Sequence, residues 1–494
     1  MKTDCITSAL FAHAAACPDK AAFLDAASGT QLTYAELKSA ALQYAAAIRA
    51  VPNPDNAPVA ILANRSTGAL SAMFGVLLSG GWYVPVDAEL PPERRALLLS
   101  VCAPALILDV TGVGAAEAAV PVLQPQDLPA AAAETSLPER NGDSPLFGIF
   151  TSGSTGMPKL VVNSLRAMAS FIEVYCGTFG FTADDVFGNQ IPFYFDASTK
   201  DIFSTVYLGA SCVIIPAKEF SFPVNLVKTL NDYAVTRIVW VPSALGIAAK
   251  FKVFAAAKPR YLKTVLFVGE RMPVKYLNEW MDNLPDTQFV NLYGSTEVAG
   301  NSCYYVIDRR FDGADILPIG KPFAGTQVFI VFPETGLPAD EGEIVVAGPG
   351  LADGYYRNPE KTAAVFRDVR IPGFEGRAYF SGDIGRLNPE GQFVCLSRSD
   401  SQIKHMGHRI ELGEIESFAA AVDFVTEACC CYDAENEKIV LFFSADTDRT
   451  ADLRHVLAEK LPKYMVPHKF RYMEALPHNR NGKLDRALMK GLLG

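Results

Sequence analysis

At 494 residues the chain is long enough for two or three units that each bury a core. Half of the residues are hydrophobic and 20% are charged, which excludes a disordered chain. Its 44 basic and 54 acidic residues leave a formal charge of −10, so neither a nucleic-acid partner nor attraction to an anionic membrane is expected.

An Ala-rich stretch from Ile6 to Cys17 reads as a first amphipathic helix rather than a signal peptide. It carries His13, lacks a basic cluster and runs straight into Pro18-Asp19-Lys20. Strands are then expected at Val59–Leu62, Trp82–Val86 and Ala105–Leu108, with helices at Gly68–Ser79 and Pro91–Val101 between them. This alternation is the pattern of parallel sheets with crossover helices. Gly112 to Ser144, rich in Ala, Pro and Glu, reads as a connection with one weak strand.

A second α/β block carries strands at Leu146–Phe150, Cys212–Pro216, Arg237–Val241 and Thr264–Val268. From Gly320 to Leu396 short strands punctuated by Gly and Pro suggest a smaller β-rich unit. A charged stretch beyond Asp400 leads into a compact helix–strand alternation, which places a boundary near Asp400–Ser401.

The ten cysteines include no C-x-x-C pair. The run Cys429-Cys430-Cys431 alternates like a buried strand and makes a poor metal site, because neighbours point to opposite faces. Free thiols suit a cytoplasmic protein. No apolar run approaches the roughly 18 residues that span a bilayer, so no membrane insertion is expected.

The strongest local signal is Thr151-Ser152-Gly153-Ser154-Thr155-Gly156-Met157-Pro158-Lys159, directly after a strand. Gly153 and Gly156 let backbone N–H groups approach an anion. The hydroxyls of Thr151, Ser152, Ser154 and Thr155 add donors and Lys159 adds charge, so the loop suits a polyphosphate. It does not fit a Walker A loop.

In this loop the chain resembles the adenylate-forming superfamily, which includes acyl-CoA synthetases, firefly luciferase and nonribosomal peptide synthetase adenylation domains. Two departures stand out: Leu160 follows the lysine where the family has Gly, and Leu165 follows Ser164 where it has His. The other motifs come in the family's order. Asn291-Leu292-Tyr293-Gly294-Ser295-Thr296-Glu297 is similar to the adenine and magnesium motif. There Tyr293 offers a flat face for a purine, Thr296 a hydroxyl for the α-phosphate and Glu297 a hard ligand for Mg²⁺. Gly269 and Glu270 also fall among the nucleotide-binding positions.

Tyr379-Phe380-Ser381-Gly382-Asp383 resembles the ribose motif, in which the aspartate accepts both hydroxyls. Arg398-Ser399-Asp400 resembles the hinge, with Arg398 on ribose and Asp400 as pivot. Pro477, Asn481, Gly482, Lys483, Asp485 and Arg486 match the final motif, whose lysine meets charge developing at the α-phosphate. The resemblance implies an α/β fold. Residues 1–399 would form a large N-terminal adenylation domain of two stacked α/β subdomains plus a β-rich subdomain. Residues 400–494 would form a small mobile α+β lid carrying Lys483.

Phe195-Asp196-Ala197-Ser198 resembles members that activate amino acids, where the aspartate holds the α-ammonium and the final lysine the carboxylate. Asp196 is alternatively a helix cap. By the same matching, Ala197, Lys200, Trp240, Leu266, Val268, Leu292, Gly300 and Asn301 line the substrate pocket. Trp240 and Leu292 would limit its depth. Lys200 either faces an acidic substrate side chain, or points outward or pairs with Asp201. The chain is similar to stand-alone D-alanine–carrier-protein ligases, yet Val268 and Lys200 stand where those have cysteine and a sulfur-containing or apolar residue.

The implied reaction uses ATP and Mg²⁺ to make an aminoacyl adenylate from a small amino acid, D-alanine or an acidic one. Pyrophosphate leaves, and the acyl group passes to the phosphopantetheine thiol of a separate carrier protein or to coenzyme A. The competing readings are an acyl- or aryl-CoA ligase and a noncatalytic nucleotide-binding protein.

Overall fold

The computed structural model describes residues 5–115, 119–130, 139–153, 157–312, 315–333, 335–398, 402–478 and 484–493. Ser154, Thr155, Gly156, Asp400 and Lys483, singled out above, lie outside the described residues, as do Asn481 and Gly482. The chain divides into two compact units. The first comprises Met1–Ala88, Cys102–Ile149 and Leu160–Ser399. The second joins Glu89–Val101 and Phe150–Lys159 to Asp400–Gly494, so it gathers the phosphate loop and one helix in addition to the expected lid.

Among the described residues, two large sheets organise the first unit. One has nine strands, with Gln288–Tyr293, Thr264–Phe267, Arg237–Trp240, Val186–Asn189 and Ser211–Ile214 as its parallel centre. The other has seven, centred on Pro145–Thr151, Tyr83–Asp87, Val59–Ala63 and Leu106–Asp109. Their strands are continuous apolar runs, as expected where both faces are covered.

One core cluster joins the two sheets. Ile61, Tyr83 and Phe147 come from one side, Phe187, Leu266 and Leu292 from the other, and Phe74, Phe171 and Phe203 from the helices. Side-chain caps start several of those helices: Ser66 accepts from Ala69 N–H, and Ser164 from Ala167 N–H. The two departures from the family loop are both core residues. Leu160 is 1% exposed and Leu165 is fully buried.

A five-stranded antiparallel sheet built on Glu341–Ala347 and Phe374–Leu387 completes the first unit. In the second unit the hairpin Gln402–His405/His408–Glu411 precedes helix Leu412–Ala420 and a three-stranded sheet. The cysteine run lies in its strand Val425–Asp433 and is buried, as the alternation predicts. No disulfide joins any of the ten cysteines. Among the described residues no helix is long and apolar enough to cross a membrane, and no cluster of His, Cys, Asp or Glu suits a metal.

Candidate active site

In the first unit the ribose and adenine motifs meet at one carboxylate. Asp383 accepts from the Tyr293 hydroxyl at 2.6 Å on Oδ2 and from Arg398 Nη1 at 2.6 Å on Oδ1. Strand pairing sets this up, because Asp383 and Arg398 are direct partners in the ladder between Phe374–Leu387 and Phe393–Arg398. The neighbouring turn is held as well. Ser381 donates to the Ile344 carbonyl at 2.7 Å and accepts from Asp383 N–H, while Gly382 N–H donates to Glu343 Oε1. A carboxylate has about four acceptor positions, so two protein donors leave room for two more. Burial, reinforced by the Asp383 charge, pushes the Tyr293 phenol well above its ordinary value and keeps it a donor.

Glu297 is fully buried and accepts from the Tyr355 hydroxyl at 2.8 Å. Such a carboxylate is costly to bury unless hydrogen bonds or a cation compensate it. Thr296, beside it, is 8% exposed, and its carbonyl accepts from Asn163 Nδ2. Asn291 donates to the Pro318 carbonyl at 2.8 Å. Glu270 accepts from Ser243 N–H at 3.0 Å, just after Gly269.

The phosphate loop belongs to the second unit. A Cβ at Gly153 would lie 1.9 Å from the Met157 carbonyl oxygen, so only glycine fits that bend. The Thr151 hydroxyl is buried without a protein partner, which suits a ligand donor. Ser152 differs from its expected role. Its hydroxyl donates to the Arg409 carbonyl at 2.8 Å and accepts from Glu411 N–H at 3.1 Å, so its proton is committed within this unit. Nearby, Arg94 and Glu414 form a buried ion pair at 2.6 Å.

The substrate positions divide between two sheet faces. Leu266, Val268 and Leu292 share one core cluster, against which Ala197 packs. Trp240 does not join them. It pairs in register with Phe267, which pairs with Asn291, and side chains alternate along a strand. Its ring packs edge-on to Phe220, and its indole donates to the Gly188 carbonyl at 2.8 Å. Trp240 therefore cannot limit depth on the Leu292 face, and Val239 occupies that side of its strand.

Asp196 precedes helix Ser198–Leu208, whose N-cap is Ala197, and the Asp196 carbonyl accepts from Thr199 N–H at 3.0 Å and from the Thr199 hydroxyl at 2.5 Å. Gly300 has a φ of 72°, and a Cβ there would lie 2.2 Å from the Phe171 ring, so the glycine lets that ring approach. Asn301 is 2% exposed, with both amide atoms unpartnered.

Residues 10–356 match the AMP-binding enzyme family, and residues 414–483 match the AMP-binding enzyme C-terminal domain. The chain belongs to the AMP-binding enzyme family. It is 31% identical over 479 residues to the D-alanine–D-alanyl carrier protein ligase of Lactiplantibacillus plantarum, covering 92% of this chain and 93% of that one. It is 32% identical to tyrocidine synthase 3 of Brevibacillus parabrevis across 92% of its own length, which is 7% of that synthase. Among solved structures it is similar to holo-PA1221, a nonribosomal peptide synthetase protein containing adenylation and PCP domains. That match has a TM-score of 0.85 and 25% identity, and covers 98% of this chain and 83% of that one.

Three groups of this AMP-binding enzyme escape sequence reasoning. Tyr355 orients Glu297 from 58 residues away, and Glu343 holds the Gly382 turn. Asp201 and Asn189 form a buried hydrogen bond of 3.0 Å beside Lys200. Lys200 itself is 1% exposed, which rules out the outward orientation.

Proposed function

We propose that this AMP-binding enzyme is an ATP-dependent ligase that adenylates a small amino acid and passes the aminoacyl group to a phosphopantetheine thiol on a separate carrier protein. The observation that carries this reading is the position of Asp196, directly before Ala197, which packs on the apolar cluster of Leu266, Val268 and Leu292. An ammonium is the natural partner for a carboxylate in such surroundings. The likeness to a D-alanine–D-alanyl carrier protein ligase over nearly both full lengths supports an amino acid as substrate and a carrier as acceptor.

In this reading Asp383 accepts the ribose hydroxyls with its remaining lone pairs, and Tyr293 and Arg398 hold its geometry. Thr151 and Gly153 with Ser154, Thr155, Gly156 and Lys159 receive phosphates while Ser152 ties the loop to Arg409 and Glu411, Gly269, Glu270, Asn291 and Gly294 border the nucleotide, and Lys483 draws the substrate carboxylate toward the α-phosphate. Glu297 with Thr296 fits Mg²⁺, because that ion takes one or two carboxylates plus substrate phosphates and needs no all-protein cage. Bound Mg²⁺ would neutralise phosphate charge during transfer. Asp400 serves as the pivot of a lid beginning there. Cysteines without disulfides fit a cytoplasmic setting.

The test is pyrophosphate release from ATP and Mg²⁺ with L- and D-amino acids and simple organic acids, followed by thioester formation on a phosphopantetheinylated carrier or coenzyme A. Activation of one amino acid, lost in Asp196→Ala, is the expected result. Activation of organic acids alone would move the assignment to an acyl- or aryl-CoA ligase. Silence with every acid would move it to nucleotide binding without catalysis.

A further inference from the structure

Helix Ser198–Leu208 carries a lysine where its surroundings are a protein core. Lys200 is 1% exposed, and Ile202, Phe203 and Val206 of the same helix are core residues. Its electrostatic neighbours are Asp196, one helical turn before it, and Asp201. An ammonium taken out of water costs several kcal/mol unless an anion compensates it. A buried lysine in the first turn of this helix therefore needs an anion to balance it.

We infer that Lys200 receives the side-chain carboxylate of the substrate, so that the amino acid activated is an acidic one, of the aspartate or glutamate kind. This inference rests on the reading of the site as an amino-acid pocket. Asp196 and Lys200 bring one negative and one positive charge. A neutral amino acid adds an ammonium that takes Asp196 away from Lys200, leaving the lysine to Asp201, whose Oδ2 already accepts from Asn189 at 3.0 Å. An acidic amino acid adds an ammonium and a carboxylate together. Asp196 then pairs with the first and Lys200 with the second, so the lysine need not draw on Asp201.

The polar atoms around this helix point the same way. The Tyr175 hydroxyl is buried without a protein partner. Buried polar groups are nearly always paired, so an unpaired donor suits a ligand that completes the bonding. Asn301 adds an amide with neither atom engaged. It follows Gly300, whose Cα lies against Phe171, and Phe171 stacks on Tyr175 at 5.1 Å. An amide N–H and a phenol are donors suited to a carboxylate.

The experiment is amino-acid-dependent pyrophosphate exchange by the full chain with aspartate, glutamate, asparagine, glutamine, alanine and glycine, as both enantiomers where they exist. The expected winner is an acid, preferred over its own amide by on the order of 100-fold in kcat/KM, the scale of a buried charge partner. Lys200→Met should remove that preference, bringing acid and amide within about threefold of each other, while Lys200→Arg should retain it. The wild-type panel decides the matter even where Lys200→Met does not fold. A wild-type preference for alanine or glycine would overturn the inference and leave the amino-acid reading standing. Exchange with organic acids only would overturn both.

Discussion

The Tyr293 hydroxyl donates to Asp383 Oδ2 at 2.6 Å, across 90 residues of sequence, and joins the adenine motif to the ribose motif. Neither residue is exposed by more than a few per cent of its surface, so the bond is made away from bulk water. Tyr293→Phe keeps the ring and removes one donor from a buried carboxylate. A hydrogen bond to a charged group contributes about 1.5–3 kcal/mol, and the variant should lose that much in urea unfolding. The KM for ATP should rise while the amino-acid KM holds. An unchanged ATP KM would mean that Asp383 is oriented by Arg398 alone.

Glu297 has a different signature. Its amide variant still accepts from Tyr355, so Glu297→Gln should melt close to wild type. Loss of the charge should lower kcat for pyrophosphate release by on the order of 10²–10³. Raising Mg²⁺ should recover part of the loss if this carboxylate holds the ion. A variant with wild-type kcat would remove Glu297 from the catalytic group.

Gly153→Ala tests the loop backbone. The new methyl must displace the Met157 carbonyl, a backbone atom that cannot simply rotate away. Misplacement of a phosphate cradle by about 1 Å costs on the order of 100-fold, so ATP turnover should fall by that factor. Ser152→Ala should behave otherwise. Its hydroxyl bridges Arg409 and Glu411, so the variant should weaken the second unit without a comparable loss in ATP affinity. Equal losses in both variants would contradict the separate roles.

How much of this was legible follows from the range of each interaction. The strands at Val59–Ala63 and Thr264–Phe267 announce themselves as short apolar runs, and the phosphate loop is contiguous. The capping box of Thr33 and Glu36, which starts helix Tyr34–Arg49, is a local signal that the strand-and-helix reading passed over. Trp240 failed for another reason. Strand parity separates it from Leu266 and Leu292, and the register that decides which parity faces the substrate is a tertiary property. The same holds for Tyr355 on Glu297 and Asn189 on Asp201, where nothing in the spacing indicates the pair. The burial of Lys200 was undecidable from the helix pattern, because Asp201 beside it reads equally well as a solvated neighbour.

Asp201 makes the pH dependence testable. Burial pushes its carboxyl up from 3.8 to about 7, while the Asn189 hydrogen bond and Lys200 act in the opposite direction. Tyr175 and Cys212, which also sense its charge, are driven well above their ordinary values by burial and stay neutral across this range. Because the folded state binds the proton more tightly than the unfolded chain, the stabilising contribution is complete below about pH 3.8 and disappears as pH rises through about 7. Asp201→Asn keeps a neutral group in place and removes the titration. In urea unfolding at pH 5, 6, 7 and 8, the variant should gain on wild type between pH 5 and 7 and level off toward pH 8. If acidic amino acids bind beside Lys200, exchange with them should also decline above pH 7 in wild type and hold level in the variant. Parallel stability curves for the two proteins would show that Asp201 is ionised throughout and that Lys200 already has its anion in the empty site.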